Sequence, residues 1–285
     1  MQIIDVLRQS PLPSLETELL LSFLLKKERE FVLAHIDYKI TKEIFYRYKN
    51  LEKKRLANWS IAVLIGYREF YSLKFLVNKQ VLVPRPETEL LVDEALKIVL
   101  KDAKKEKLSI IDIGTGSGAI IISLAATLPS LKNISLLASD ISSSALKIAK
   151  RNTKLHQQEK NIRFFQGNLL NPLLKKIDKF SNLIITANLP YLTPTQVKNS
   201  PSILKEPRLA LVAGNDGLKY YRLLFKQINS LLKNKKKKIS ILCEIDPSQD
   251  KNFALLVKKL LPTSSLVFKE DLTNRPRLAI VSIFK

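Results

Sequence analysis

The sequence predicts an α/β fold: a mostly parallel sheet covered by helices on both faces, preceded by a small all-helical region and a β-hairpin connection. Three observations carry that expectation. The chain has no glycine before Gly66, and the residues there repeat at helical spacing. From about residue 109, short apolar strands alternate with helical patterns. Three of the seven glycines fall within the stretch DIGTGSG. Strands separated by helices imply parallel pairing, with ligands at the carboxyl ends of the strands.

Taken in order, Pro13-Ser14 followed by LETELLLSFLLKK predicts a helix. Ser14 is its expected capping residue, acids occupy its first turn and lysines its last, and Leu15, Leu19, Leu20, Phe23 and Leu24 share one apolar side. KITKEIFYRYKNLEKKRLAN predicts a second helix. Around residue 70 the pattern changes. EFYSLKFLVNKQVLVPRPETE alternates apolar and polar residues on either side of Asn78-Lys79, which predicts a hairpin turning there. ETELLVDEALKIVLKDAKK then returns to helical spacing. Strands are expected at 109–113, 135–139, 162–166, 183–187, 239–245, 265–269 and 278–284, with helices between most of them. The short connection between the last two strands predicts an antiparallel pair. The expected organisation is a helical domain at 1–72, a hairpin linker at 73–92 and an α/β domain at 93–285.

Composition excludes several classes. The 46% hydrophobic content supports a core, and no apolar run approaches the roughly 18 residues needed to cross a bilayer. The N-terminus lacks the features of a secretory signal, so a cytoplasmic location is expected. One cysteine, Cys243, rules out an internal disulfide and sits in the apolar run ISILCEI as a small core residue. Two histidines, His35 and His156, are too few and too far apart for a zinc site, and no metal is expected. The formal net charge of +22 permits an anionic partner such as nucleic acid. Lysines are spread along the chain, however, and the densest run, Lys233 to Lys238, reads as a solvated loop after a helix.

The glycines of Asp112-Ile113-Gly114-Thr115-Gly116-Ser117-Gly118 sit where a strand turns into a helix. Without side chains the backbone can turn tightly and touch a ligand, and the next helix points its free N–H groups at that ligand. After the following strand comes Asp140, placed to accept hydrogen bonds from ribose hydroxyls. The pattern predicts an adenosine-containing cofactor. Gly114-x-Gly116-x-x-Ala119 also fits the dinucleotide fingerprint, so this motif alone does not separate a dehydrogenase from a methyltransferase.

The fourth strand separates them. Its end reads Ala187-Asn188-Leu189-Pro190-Tyr191. A planar amide or amino nitrogen is a poor nucleophile because its lone pair is delocalised. Two acceptors gripping both N–H hydrogens would build negative charge on it and aim its remaining density. The Asn188 side-chain oxygen and the Leu189 carbonyl are such a pair. Pro190 would fix the backbone, and Tyr191 could lie against the planar group. Alignment of bound reactants contributes on the order of 7–11 kcal/mol, and fixed dipoles act on charge as it develops. Alone, the same residues would read as an Asx-type turn closed by proline.

The order DIGTGSG, SD and NLPY resembles S-adenosylmethionine-dependent methyltransferases acting on planar nitrogens. IGYREFYSLKFLVNKQVLVPRPETELLVD, LKEPRLALVAGNDGLKYYRLL and EDLTNRPRLAIV narrow the likeness: over essentially its whole length the chain resembles the release factor glutamine methyltransferase family of the HemK/PrmC type. The resemblance implies a Rossmann-like seven-stranded sheet. It also implies transfer of a methyl to the amide nitrogen (N5) of the glutamine in the Gly-Gly-Gln motif of peptide-chain release factors, with the N-terminal domain helping to hold the release factor. Carried over by motif, Gly114, Thr115, Gly116, Ser117, Gly118, Asp140, Asn168, Leu169 and Asn188 would hold S-adenosylmethionine. Asn188, Leu189, Pro190 and Tyr191 would hold the glutamine. Arg85 and Glu89 would line the site or, equally, organise the hairpin. The family usually has Asn-Pro-Pro-Tyr, so Leu189 is a departure, and Asn168 stands where an acid is usual. NLPY is also the form common in ribosomal RNA adenine dimethyltransferases, whose extra helical domain is C-terminal. A nucleic-acid (adenine amino) methyltransferase and a release-factor-binding homologue without turnover are the competing readings.

Overall fold

The computed structural model describes residues 1–102, 107–130, 132–232 and 237–284. Of the lysine run, Lys233–Lys236 lie outside the described residues. The chain divides into two compact units, Met1–Tyr67 with Ser200–Lys205, and Arg68–Asn199 with Glu206–Lys285.

The first unit is helical: α1 (Ile3–Gln9), α2 (Ser14–Leu25), α3 (Arg29–Ala34), α4 (Lys42–Leu56) and α5 (Ile61–Ile65). They close around Ile3, Val6, Leu20, Leu21, Leu24, Val32 and Tyr48. Two expectations for α2 are corrected. Ser14 is its first helical residue rather than its cap, since Pro13 takes the capping position. The hydroxyl that organises this corner is Ser10, which accepts from Leu12 N (3.1 Å) and shares hydrogen bonds with the hydroxyls of Thr17 (2.9 Å) and Tyr48 (2.6 Å). Leu15 is exposed, and Leu21 takes the expected place in the core.

The second unit opens with the hairpin β1 (Tyr67–Phe70) and β2 (Leu73–Leu76). The turn lies at Tyr71-Ser72, both with positive φ (52° and 57°), and not at Asn78-Lys79. A two-residue hairpin loop needs that left-handed geometry to match strand twist. Here the cost of using non-glycine residues is offset by the Glu89 carboxylate, which accepts from Tyr71 N at 2.8 Å. Asn78 instead makes a local turn, its side chain accepting from Gln80 N.

Then follow α6 (Glu89–Asp102), β3 (Leu108–Ile113), α7 (Ala119–Thr127), β4 (Ile134–Asp140), α8 (Ser143–Leu155), β5 (Ile162–Gln166), α9 (Leu174–Ile177), β6 (Asn182–Ala187), α10 (Pro194–Lys198), α11 (Lys219–Leu231), β7 (Lys238–Glu244), α12 (Asp250–Leu260), β8 (Ser265–Glu270) and β9 (Pro276–Phe284). The sheet order is β5-β4-β3-β6-β7-β9-β8. β3 to β7 run parallel to one another, and β9 is antiparallel to both β7 and β8.

Alternation along the central strands explains the double covering. On β3, Ile111 and Ile113 face the cluster built with α11 and α12, while Leu108 and Ile110 face the one built with α6 and α7. Strands apolar on both faces must be roofed on both sides. The connections leave β3 in one direction towards β4 and β5, and run from β6 to β7 in the other. β3 and β6 therefore flank the switch point, where a crevice opens at the strands' carboxyl ends.

Candidate active site

A cleft of about 850 Å³, counted out to its open mouth, lies at that switch point. Of the residues singled out in the sequence, Gly114, Gly116, Asp140, Asn168, Leu169, Asn188, Leu189 and Pro190 line it. Thr115, Ser117, Gly118, Tyr191, Arg85 and Glu89 do not.

The glycine turn is built from behind by the residues that do not face the cleft. Thr115 donates its hydroxyl to the buried Asp112 carboxylate (2.6 Å), which also accepts from Thr186 on β6 (2.8 Å). Burial pushes the Asp112 carboxyl up to about 6 against those hydrogen bonds. The Ser117 carbonyl accepts from Asn152 of α8, whose amide also pairs with the Leu76 backbone of the hairpin. Gly118, at the start of α7, has φ +82°, and a Cβ there would come within 2.8 Å of Ile122 Cδ1 and 3.3 Å of Ala149 Cβ. Gly116 differs. Its φ is +56°, and a Cβ there would meet nothing nearer than the Gly114 carbonyl at 4.0 Å, so a side chain would project into open space.

At the end of β4, Asp140 accepts from Gly116 N (Oδ2, 2.9 Å) and Ser142 N (Oδ1, 2.8 Å). Each carboxylate oxygen keeps a second lone pair for an outside donor. Burial raises the Asp140 carboxyl above its usual range. Ile141, next in sequence, also lines the cleft and is 53% exposed, which leaves an apolar face without a partner. Leu169, which also lines the cleft, is held at positive φ (53°), with its carbonyl accepting from the buried Ser139 hydroxyl at 2.8 Å. Asn168 is exposed at the rim.

These features fit an adenosine cofactor carried on a small sulfonium. The glycine turn leaves room for close backbone approach, Asp140 offers lone pairs to a sugar diol, and Ile141 with Leu169 offers apolar faces for a flat base.

The end of β6 carries the second half of the site. Asn188 Nδ2 donates to Glu244 Oε2 (2.9 Å) and to Thr88 Oγ1 (3.0 Å). Thr88 gives its own proton to the same carboxylate oxygen (2.6 Å), and the Tyr191 hydroxyl donates to Glu244 Oε1 (3.1 Å). The register Ala187↔Cys243 places Glu244 beside Asn188. Among the described residues none donates to Asn188 Oδ1 or to the Leu189 carbonyl oxygen. Leu189 is itself buried, and a Cβ on Gly114 would come within 3.0 Å of its Cδ2.

Tyr191 is pinned on both sides. Its carbonyl accepts from Gln249 Nε2 at 2.8 Å, and a Cβ on Gly217 would fall 2.2 Å from that carbonyl oxygen, which is why the GNDG loop needs glycine there. Burial pushes its hydroxyl above its ordinary value, with the Glu244 carboxylate adding to the effect. Arg85 pairs with the buried Glu206 (2.5 Å), whose other oxygen accepts from Val83 N (3.3 Å). Arg85 and Glu89 thus organise the PRPETE and hairpin segments.

Glu244, Thr88, Ile141 and Asn152 belong to the site or its support, yet none of them is among the site residues read from the sequence. The signals were an acid closing a buried apolar strand and an apolar residue directly after Asp140. Cys243 is buried as expected, its thiol pushed up by burial. Among the described residues no cluster of metal-ligating side chains occurs, and no helix is long and apolar enough to cross a membrane.

A doubly wound sheet, a glycine turn followed by an acid, and two oxygens at the end of β6 that have no donor among the described residues fit a methyltransferase. Residues 104–266 match the family model of a methyltransferase domain, and residues 1–66 match that of the PrmC N-terminal domain. The release factor glutamine methyltransferase of Bacillus subtilis is 33% identical, over 94% of this chain and 91% of that protein. That of Dictyoglomus turgidum is 37% identical, over 82% and 78%. The N-terminal domain of human METTL16 in complex with SAH shares the fold, with a TM-score of 0.53 at 16% identity over 93% of this chain and 94% of that one. The chain belongs to the release factor glutamine methyltransferase family.

Proposed function

We propose that this protein transfers a methyl group from S-adenosylmethionine to the side-chain amide nitrogen (N5) of the glutamine in the Gly-Gly-Gln motif of peptide-chain release factors. The observation that carries this reading is a pair of oxygens with no donor among the described residues, Asn188 Oδ1 and the Leu189 carbonyl, on residues lining the cleft. Family membership supplies the substrate.

Gly114, Gly116 and Asp140, with Ile141 and Leu169 as apolar walls, hold the cofactor, which when bound supplies an electrophilic methyl on a sulfonium. Asn188 Oδ1 and the Leu189 carbonyl accept the two N–H hydrogens of the substrate amide. This raises electron density on the nitrogen and fixes its direction of attack; as the N–CH₃ bond forms the methyl's bond to sulfur breaks, leaving a neutral thioether, and the nitrogen releases one of its two hydrogens as a proton to water. Pro190 limits backbone rotation after Leu189. The acceptors stand ready before the substrate arrives, so little reorganisation is needed as charge develops. The needed group at residue 189 is a carbonyl, which leucine supplies as well as proline. The N-terminal helical domain holds the release factor, and the setting is the cytoplasm.

The test is incubation of the purified protein with methyl-labelled S-adenosylmethionine and either release factor or ribosomal RNA. Label on the Gly-Gly-Gln glutamine is expected. Label in RNA alone would move the reading to an adenine amino methyltransferase, as NLPY and the +22 charge would then suggest. Bound cofactor with no label in either substrate would leave a binding protein without turnover.

A further inference from the structure

We propose that Glu244 is a positioning residue which, with Thr88, sets the direction of the Asn188 carboxamide and so decides that an oxygen, not an NH₂ group, is presented to the substrate. This deepens the reading above and rests on it.

A carboxamide has two ends of nearly the same shape, so packing alone does not choose between them. The partners do. Glu244 Oε2 lies 2.9 Å from Asn188 Nδ2 and can only accept while the group is ionised. Thr88 Oγ1 lies 3.0 Å from the same nitrogen, and its one proton is already given to Glu244 Oε2 at 2.6 Å. Thr88 therefore also faces Asn188 as an acceptor. Turning the amide over would replace two hydrogen bonds, one of them charge-assisted, by two contacts between lone pairs. The other carboxylate oxygen receives the Tyr191 hydroxyl at 3.1 Å, so one buried group holds both polar side chains of the NLPY turn. Glu244 is only 2% exposed, and a carboxylate so placed is costly unless its lone pairs are used. Three donors use them; burial still raises the Glu244 carboxyl above its usual range, with the Thr88 and Tyr191 hydrogen bonds and Arg277 on β9 opposing that rise.

The test combines kinetics with a direct view of the amide. In Glu244→Leu both acceptor contacts to Asn188 change, and kcat should fall roughly a hundredfold, the scale of losing one preorganised dipole. Glu244→Gln can still turn its oxygen to Thr88 and Asn188, so it should retain kcat within about tenfold of the wild type. Thr88→Val, a nearly isosteric change, should lower kcat about tenfold while the cofactor Kd stays within twofold.

The second readout is the NMR signal of the Asn188 side-chain NH₂, recognised by its absence in Asn188→Ala. Its protons should exchange with water at least tenfold more slowly than those of an exposed asparagine, and faster in Thr88→Val. Glu244→Leu and Thr88→Val both within twofold of wild-type kcat would overturn the proposal. So would NH₂ protons that exchange freely in the wild type. Slow exchange together with no methylation of release factor would uphold the positioning of Asn188 and sink the substrate reading instead.

Discussion

Gly116→Ala separates a ligand-contact role from a folding role. The residue sits at φ +56°, and an added Cβ would have only the Gly114 carbonyl, 4.0 Å away, near it. The folded protein should therefore feel backbone strain alone. A left-handed conformation costs an alanine about 1–2 kcal/mol, or about 2–8 °C in Tm for a unit of this size. Gly214→Ala is the matched control. It lies in the same unit at φ +81°, with the nearest contact an ordinary 3.5 Å to Lys219 Cβ, and it does not line the cleft. Both variants should lose the same stability in urea unfolding followed by circular dichroism. Only Gly116→Ala places a methyl where backbone and cofactor should touch. By calorimetry its Kd for S-adenosylmethionine should rise at least tenfold, about 1.4 kcal/mol, while that of Gly214→Ala stays unchanged. Equal Kd values for the two variants would remove Gly116 from the binding surface, whatever their melting temperatures.

Asn188→Ala should abolish methyl transfer in the labelling assay while cofactor affinity stays within tenfold, about 1.4 kcal/mol. It should also cost about 1–3 kcal/mol of stability, because Glu244 loses a donor in a buried place. Asp140→Ala should weaken cofactor binding before it affects anything else, and an unchanged Kd would remove Asp140 from the ribose assignment. Asp112 makes a pH prediction. Its carboxyl rises from 3.8 to about 6 on burial, so the folded form binds the proton more tightly than the unfolded form. Its contribution is then most favourable below about pH 4, declines as pH rises to about 6, and is level above that. The displacement corresponds to on the order of 3 kcal/mol. The stability of Asp112→Asn relative to wild type should grow by up to that amount between pH 4 and 7 in urea titrations. A constant difference across that range would contradict it.

The sheet was legible because its central strands are apolar on both faces and bounded by polar turns, so the expected segments and the observed β3 to β9 differ by only a residue or two at their ends. The hairpin turn was not. Tyr71 and Ser72 carry none of the glycine or asparagine chemistry that marks such turns, and the Glu89 carboxylate holding them comes 18 residues later. Asn78-Lys79 looked like a turn because it is one, but a local one. In the site, Gly114, Gly116, Asp140 and Asn188 were readable because each closes or follows a strand. Thr115, Ser117 and Gly118 belong to the same motif yet face inward, a distinction that φ values and neighbours make and letters do not. Glu244 was hidden for a topological reason. It closes the apolar run of β7, and only the pairing of β7 with β6 brings it to Asn188 across 56 residues of chain.

The proposed chemistry requires that Asn188 Oδ1 and the Leu189 carbonyl hold the two hydrogens of a substrate amide. A crystal structure with S-adenosylhomocysteine and a Gly-Gly-Gln peptide measures it directly. Both oxygens should lie about 3 Å from the glutamine side-chain nitrogen, with Asn188 Nδ2 still on Glu244 and Thr88. A glutamine nitrogen bound elsewhere, or Asn188 turned so that its NH₂ faces the peptide, would contradict it.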